Sequence, residues 1–115
     1  MKKIYHLATC STCKRIIKEL NLSDDVVLQD IKSEPLTVKQ LEALHQLSGS
    51  YEALFSKRAK LYKERDLKNE NLTEPDYKQL LLEHYTFLKR PVIVVENQIF
   101  IGNSKSVVEN AKEAL

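Results

Sequence analysis

The feature that most constrains the fold is a pair of cysteines placed where a strand pattern meets a helix pattern. Residues 4–7 carry apolar and aromatic side chains around one histidine, which predicts a short strand. Four apolar positions then recur at helical spacing: Cys13, Ile16, Ile17 and Leu20. Charged side chains occupy the opposite face, so a helix is predicted to begin at or just before Cys10. Both cysteines of the chain therefore lie at the start of a helix that directly follows a strand.

The rest of the chain alternates between strand and helix patterns. A second strand is predicted within residues 26–31, and its length suits a buried element. Helical segments are predicted at 37–47, 51–55, 59–62 and 74–84, the first of them opened by a capping box at Thr37 and Gln40 and ended by Gly49. A hairpin is predicted from strand 92–95 through a turn at 96–98 to strand 99–101. A second capping box, Ser106 with Glu109, predicts the start of the last helix.

The resulting order is β-α-β, a helical middle, then β-β-α. A helical crossover between the first two strands implies that they are parallel, while the hairpin adds antiparallel strands. This is an α/β arrangement of thioredoxin-like (glutaredoxin-like) type, with a mixed four-stranded sheet and a helical insertion. A chain of 115 residues can bury one core without disulfide or metal staples. One domain is therefore predicted over residues 1–115, with a core at 1–32 and 89–115 and an insertion at 33–88.

Charge and hydropathy exclude several classes of function. The net charge of +2 is too small to predict direct nucleic-acid binding. The one basic run, at residues 57–65, is interrupted by Glu64 and is typical of a solvated helix face. No stretch approaches the roughly 20 apolar residues of a membrane span, and residues 4–8 are too short for a signal peptide. A cytoplasmic monomer is the expectation.

The spacing of Cys10 and Cys13 is typical of a thiol redox motif. Unpaired N–H groups and the helix dipole stabilise a thiolate at a helix N-terminus, which favours Cys10 as the nucleophile. Cys13 lies one turn further on the apolar side and is predicted to be the resolving thiol. Two other interpretations stay open, namely two inert core cysteines and a zinc site completed by histidines. His6 is a further candidate to interact with the thiol, although a satisfied strand histidine is the simpler interpretation.

Several motifs, taken together in order, identify a resemblance that covers nearly the whole chain. They are Cys10 to Cys13, Ser33-Glu34-Pro35-Leu36, residues 56–62, Arg90-Pro91 before an apolar strand, and Gly102. With these motifs the chain resembles the arsenate reductase (ArsC) and Spx family. The resemblance implies a thioredoxin-like fold with a helical insertion, and a cis peptide before Pro91 beside the cysteine loop.

The resemblance also implies a set of site residues. Glutaredoxin-linked arsenate reductases of this family use one nucleophilic cysteine, matched here by Cys10, and three arginines around the oxyanion. Arg90 matches the middle arginine, whereas Ser56 and Asn103 stand at the other two positions. Because guanidinium groups hold a tetrahedral oxyanion best, these replacements are expected to weaken arsenate binding. The implied substrate-binding residues are Ser11, Thr12, Arg58 and Pro91.

Two functions follow from the resemblance. The leading one is a thiol-disulfide oxidoreductase that reduces arsenate to arsenite through Cys10, with Cys13 and Arg90 as the other catalytic residues. It needs no metal or bound cofactor, but takes electrons from glutathione or another thiol, with glutaredoxin or thioredoxin as partner. The alternative is an Spx-like redox-sensing transcription regulator that binds the RNA polymerase α-subunit. Gly49 lies about one position from the glycine expected at that contact. General disulfide reduction without a dedicated small substrate is a third interpretation.

Overall fold

The computed structural model describes residues 1–115, with four strands and five α-helices. The strands are β1 (Lys2–His6), β2 (Val26–Asp30), β3 (Val92–Val95) and β4 (Gln98–Ile101). The α-helices are α1 (Ser11–Leu20), α2 (Val38–Ser48), α3 (Lys60–Glu64), α4 (Glu74–Glu83) and α5 (Lys105–Ala114). Single 3-10 turns lie at Glu52–Leu54, Leu67–Asn69 and Tyr85–Phe87. None of these helices combines the length and the apolar character that a membrane span needs.

The four strands form one mixed sheet in the order β2-β1-β3-β4. β1 and β2 are parallel, whereas β1 pairs with β3 and β3 with β4 in antiparallel fashion. The predicted α/β class, the mixed four-stranded sheet and the order of elements along the chain are therefore confirmed. The chain divides into two compact units, Met1–Glu34 with Arg90–Leu115 and Pro35–Lys89. The single domain with an insertion at 33–88 stays a prediction.

The core of the first unit lies where α1 and α5 meet the two central strands. Its buried residues are Ile4, Ile16, Leu20, Ile93, Val95, Val108 and Ala111. Of the apolar stripe predicted for α1, Cys13, Ile16 and Leu20 are buried and Ile17 is half-buried, because a spacing of three and four residues keeps side chains on one helix face. Truncation of a fully buried residue such as Ile16 to alanine typically costs about 2 to 5 kcal/mol. This packing fixes the start of α1 relative to β1 and β3.

β2 differs from the buried strand that its length suggested. It lies at the edge of the sheet, and Val27 and Leu28 are 52% and 47% exposed. Gln29 is the buried side chain of this strand, and its amide donates to the carbonyl of Glu34. The prediction failed because a run of β-branched and apolar residues does not by itself distinguish a central strand from an edge strand.

The β3–β4 hairpin closes through Glu96 and Asn97, and Gln98 already belongs to β4. Glu96 has a φ of 53°, in the left-handed region that tight two-residue turns require. After β4, Gly102 has a φ of +97° and donates its N–H to the Pro91 carbonyl at 3.0 Å. This contact ties the end of the hairpin to the residue that begins it.

The start of α5 was predicted two residues too late. The N-cap is Ser104, whose hydroxyl accepts a hydrogen bond from the Val107 N–H at 3.3 Å. Ser106 lies inside the first helical turn, so the pattern Ser106 to Glu109 is not a capping box here. Two serines two residues apart offered two possible N-caps, and the helix begins at the earlier one.

The second unit is built from helices and short 3-10 turns. The predicted capping box opens α2, with the Thr37 hydroxyl accepting from the Gln40 N–H at 3.0 Å. Gly49 ends this helix with a φ of 79°. At α4, the Thr73 N–H donates to the Asp76 carboxylate at 2.9 Å. The buried apolar side chains of this unit are Leu41, Leu44, Leu54, Phe55, Ala59, Leu67, Tyr77, Leu81, Phe87 and Leu88.

Candidate active site

Cys10 lies between β1 and α1 in the first unit. After β1 the chain turns at Ala8 and Thr9, and the Cys10 N–H donates to the Leu7 carbonyl at 3.0 Å. Cys10 then takes the N-cap position of α1 with an extended backbone, φ −85° and ψ 118°. The helix was predicted to begin at or just before Cys10, and its first helical residue is Ser11. The Cys10 side chain therefore lies at the end of α1 where backbone N–H groups have no partner within the helix.

The surroundings of Cys10 favour its thiolate. Partial burial acts to raise the pKa of Cys10, but hydrogen bonding from Cys13 and from the Thr12 backbone, together with Arg90, outweighs it. The net result is a pKa below the ordinary value. As a thiol, Cys10 makes no capping hydrogen bond to α1. The neighbouring N–H groups therefore act on the charged form, which is the form that attacks electrophiles.

Cys13 has the opposite properties. It is fully buried on the inner face of α1, and both cysteines are in the free thiol form. Burial raises the pKa of Cys13, and the negative charge of Cys10 raises it further, while a backbone hydrogen bond at Leu7 acts in the other direction. Each cysteine side chain acts on the pKa of the other, lowering that of Cys10 and raising that of Cys13. One thiol is thus poised to ionise and its neighbour to stay protonated.

Arg90 and Pro91 reach the cysteines from the start of β3. Tyr5 pairs with Val92 across β1 and β3, so Arg90 and Pro91 directly precede the strand that lies beside the end of β1. Arg90 is half-buried, with its Nε inside the protein, and its side chain acts on Cys10 to lower the pKa of that thiol. The Arg90-Pro91 peptide is cis, as the resemblance implied. Cys10, Cys13 and Arg90, predicted from different parts of the chain, therefore meet at one site.

The remaining predicted site residues have different positions. Ser11 is exposed and Thr12 half-buried in the first turn of α1, where the Thr12 backbone acts on Cys10. Arg58 belongs to the second unit, where it is exposed in the turn before α3. Asn103 is exposed directly after Gly102, and Ser56 donates its N–H to the Phe87 carbonyl at 2.7 Å. The roles of Ser11, Thr12, Arg58 and Pro91 in substrate binding stay predictions.

His6 and the acidic residues near the site have the following positions. His6 ends β1 opposite Asp30 of β2. Burial lowers the pKa of His6, and the charge of Asp30 partly opposes this effect. No three His, Cys, Asp or Glu side chains are clustered anywhere in residues 1–115.

The sequence reasoning missed the part that backbone groups play. Leu7 contributes through its backbone to Cys13, and its carbonyl accepts the Cys10 N–H. No side-chain pattern could have indicated this, because every residue except proline offers the same backbone groups. Only the strand before the motif was a signal that such groups would be near.

Comparison with known proteins assigns the family. The model of the ArsC family matches residues 5–111. The chain belongs to the ArsC family. This assignment covers both units and includes every predicted site residue.

The ArsC-family protein has relatives among curated proteins and solved structures. It is 28% identical over 105 residues to the global transcriptional regulator Spx 2 of Bacillus anthracis, covering 89% of this chain and 79% of that protein. An ArsC-related protein of Bacteroides fragilis is 27% identical with a TM-score of 0.80, covering 96% of each chain. Arsenate reductase from Vibrio cholerae is 24% identical with a TM-score of 0.79, covering 99% of this chain and 97% of that one, and shows the shared fold. The similar proteins thus include one named as an arsenate reductase and one named as a transcriptional regulator.

Proposed function

We propose that this ArsC-family protein is a thiol-disulfide oxidoreductase in which Cys10 is the nucleophile and Cys13 the resolving thiol. The observation that carries the proposal is the pair of opposite pKa shifts, down at Cys10 and up at Cys13, within one turn of helix. Family membership supports the same class of chemistry. If the two cysteines were an inert pair in the core, Arg90 and the backbone N–H groups would not be expected to favour the thiolate of one of them.

The first step is attack by the Cys10 thiolate on a substrate disulfide. A bond forms between Cys10 Sγ and one substrate sulfur, and the other substrate sulfur leaves as a thiolate. The Cys10 charge is consumed in this step. Because that charge is one of the causes of the raised pKa of Cys13, its loss makes Cys13 easier to deprotonate. The resolving thiol is thus activated only after the mixed disulfide exists.

The second step is attack by Cys13 on Cys10 Sγ. The Cys13 proton is lost, the substrate thiolate leaves, and a Cys10–Cys13 disulfide forms. The substrate has gained two electrons and the protein has lost two. Two molecules of glutathione, or a dithiol partner such as glutaredoxin or thioredoxin, then restore the two thiols.

Arsenate is the specific small substrate that we propose to test. The Cys10 thiolate would displace water from arsenate to form a thiol-arsenate ester, whose negative oxygens Arg90 stabilises. A second thiol then attacks Cys10 Sγ, forming a disulfide as arsenic(V) becomes arsenic(III). With Ser56 and Asn103 at two positions that carry arginine in glutaredoxin-linked relatives, arsenate turnover is expected to be weaker than disulfide reduction.

A pair of activity assays tests the proposal. One follows reduction of a glutathione mixed disulfide, the other follows arsenite release from arsenate, each with glutathione plus glutaredoxin and with thioredoxin as donor. Activity in the first assay that Cys10→Ser abolishes supports the oxidoreductase. Arsenite formation above the Cys10→Ser background adds arsenate to its substrates. No turnover above that background in either assay overturns the enzyme proposal.

A second candidate function is favoured by the 28% identity to the Bacillus anthracis regulator over 89% of the chain. In this function the Cys10–Cys13 disulfide would switch binding to the C-terminal domain of the RNA polymerase α-subunit. The test is a pull-down with that domain on the oxidised and on the reduced protein. Binding that depends on the redox state supports the regulator, whereas absence of binding in both states removes it.

A further inference from the structure

Asp30 lies close to the cysteine segment although it is twenty residues away in the sequence. It is the last residue of β2 and pairs with His6, the last residue of β1. Because the two strands are parallel, their carboxyl ends meet at the same edge of the sheet, next to the loop that leads to Cys10. The Asp30 Oδ1 atom accepts a hydrogen bond from the Ala8 N–H at 3.2 Å.

The segment between β1 and Cys10 has little packing to hold it in place. Ala8 and Thr9 are both exposed, so burial contributes little to their position. The segment is instead tied by hydrogen bonds at two points, one from the Cys10 N–H to the Leu7 carbonyl and one from the Ala8 N–H to Asp30. The first lies within the segment itself, whereas the second joins it to the sheet.

The Asp30 carboxylate is itself held in one orientation. The Lys32 N–H donates to Oδ1 at 3.3 Å, and the Ser33 hydroxyl donates to Oδ2 at 3.1 Å. The Ala8 hydrogen bond is the largest of the causes that lower the pKa of Asp30, and partial desolvation opposes them. Asp30 is therefore ionised at neutral pH and presents a fixed acceptor to the segment.

We propose that Asp30 is a positioning residue that holds residues 8–10 so that Cys10 lies where the first amides of α1 and Arg90 act on its sulfur. The proposal rests on the proposed function, because it concerns the reactivity of the same thiol. It goes beyond that function in assigning a role to a residue outside the cysteine motif and outside the family's arginine set.

The role of Asp30 is one of position and not of charge. A negative carboxylate near Cys10 would disfavour a second negative charge, so the charge of Asp30 is not what favours the thiolate. An uncharged acceptor of the same shape should therefore serve. Asparagine keeps an oxygen at this place, whereas alanine and serine leave the Ala8 N–H without an acceptor within reach.

The experiment measures the rate of Cys10 alkylation by iodoacetamide against pH, with mass-spectrometric assignment of the modified cysteine. In Asp30→Ala the rate at pH 7 is expected to fall about 2- to 10-fold, the range in an equilibrium constant that one lost hydrogen bond spans. The whole profile should move to higher pH. Asp30→Asn is expected to keep the wild-type profile. Asp30→Ser retains a polar side chain at this half-buried position and replaces the alanine variant if that variant fails to fold.

The matched control is Asp25→Ala, which removes another aspartate of the same unit at the opposite end of β2. Its profile should equal that of the wild type. Suppose that the wild-type profile shows a lowered pKa for Cys10. If Asp30→Ala or Asp30→Ser then has the same profile as the wild type, the positioning role alone is overturned. An equal upward shift in Asp30→Asn also overturns it, because the effect would then follow the charge. A wild-type profile at the ordinary thiol pKa counts against the activated Cys10 and therefore against the proposed function itself.

Discussion

The N-termini of α1 and α2 meet the same backbone requirement with different side chains. In both helices the N-cap residue has an extended backbone, with φ −85° at Cys10 and −83° at Thr37. The Thr37 hydroxyl accepts the Gln40 N–H at 3.0 Å, and the Gln40 side chain accepts the Thr37 N–H at 3.1 Å. Cys10 makes no such capping bond. At α2 the side-chain cap satisfies an N-terminal backbone N–H group and so stabilises the helix. At α1 the corresponding N–H groups have no such cap and are available to stabilise an anion.

The comparison extends to the other long helices. α4 and α5 also begin after a hydroxyl residue, Thr73 and Ser104. Among the four helices of ten or more residues, only α1 has an N-cap that cannot accept a strong hydrogen bond when neutral. Proteins commonly break a local rule of stability where they perform chemistry. The departure at α1 is therefore consistent with a site that exchanges helix capping for thiolate reactivity.

The largest expected effect is that of Cys10→Ser, which places a hydroxyl cap at α1. Disulfide reduction should fall to the uncatalysed background, because the serine hydroxyl has no comparable anionic form at neutral pH. The free energy of unfolding should instead rise by about 0.5 to 1 kcal/mol at pH 6, since serine caps helices well. Turnover and urea denaturation of the same preparation measure the two effects. A variant that keeps activity would show that Cys10 is not the nucleophile.

The stability difference between wild type and Cys10→Ser should also depend on pH. Because the folded pKa of Cys10 is lowered, the fold favours the thiolate. This contribution to stability is present above the pKa of the unfolded thiol and is lost as the pH falls through the folded pKa. The advantage of the serine variant should thus shrink between pH 6 and pH 9. Urea denaturation of both proteins at several pH values measures this difference. A difference in the free energy of unfolding that stays constant from pH 6 to pH 9 would show that α1 does not stabilise a charge on Cys10.

Arg90→Gln is expected to have the next largest effect. Removing the guanidinium takes away one of the groups that lower the pKa of Cys10, so the alkylation profile should move to higher pH. A hydrogen bond to a charged group is worth about 1.5 to 3 kcal/mol, so a loss of at least about tenfold in rate at pH 7 is expected. Arg15→Gln, an exposed arginine on the outer face of α1, is the matched control. Equal effects of the two variants would indicate a general charge effect instead of a local contact.

Sequence patterns predicted most of the fold because the patterns are local. The stripe of α1, the capping box at Thr37 and the glycine end of α2 each depend on spacings within a few residues, and each is present. The edge position of β2 was missed, since exposure of Val27 depends on which strands lie beside it. The start of α5 was missed because Ser104 and Ser106 both fitted a local rule.

The candidate site was predicted unevenly for a similar reason. Cys10 and Cys13 were found from their spacing and from their place between a strand pattern and a helix pattern, whereas Arg90 was found only through a family resemblance. Its contact with Cys10 follows from strand pairing between distant parts of the chain, which spacing cannot indicate. Contacts made through the backbone, such as that of Leu7 with Cys13, carry no side-chain signal at all.

Thr37→Ala should lower stability without changing thiol chemistry. Loss of the hydroxyl breaks one half of the capping box and is expected to reduce the free energy of unfolding by about 1 kcal/mol, within a range of about 0.5 to 2. The alkylation profile of Cys10 should be that of the wild type. Lys39→Ala, an exposed neighbour in the same turn, serves as the control and should change stability by less than about 0.5 kcal/mol. A shifted Cys10 profile would mean that the two helix starts are not independent.

The smallest effect separates the two serines near α5. Ser104 caps the helix through one hydrogen bond of 3.3 Å to the Val107 N–H, with no reciprocal partner. Ser104→Ala should therefore cost about 0.5 to 1 kcal/mol, less than Thr37→Ala. Ser106→Ala should be neutral or slightly stabilising, because alanine is the better helix former at an exposed position inside the first turn. Urea denaturation of both variants decides between the two assignments: a larger loss in Ser106→Ala would restore the capping box predicted from the sequence. The expected loss of stability thus decreases from Thr37 to Ser104, the two hydroxyl caps, and vanishes at Ser106, which lies inside the helix. Cys10 is expected to stand outside this order, because its interaction with the helix amides depends on its charge.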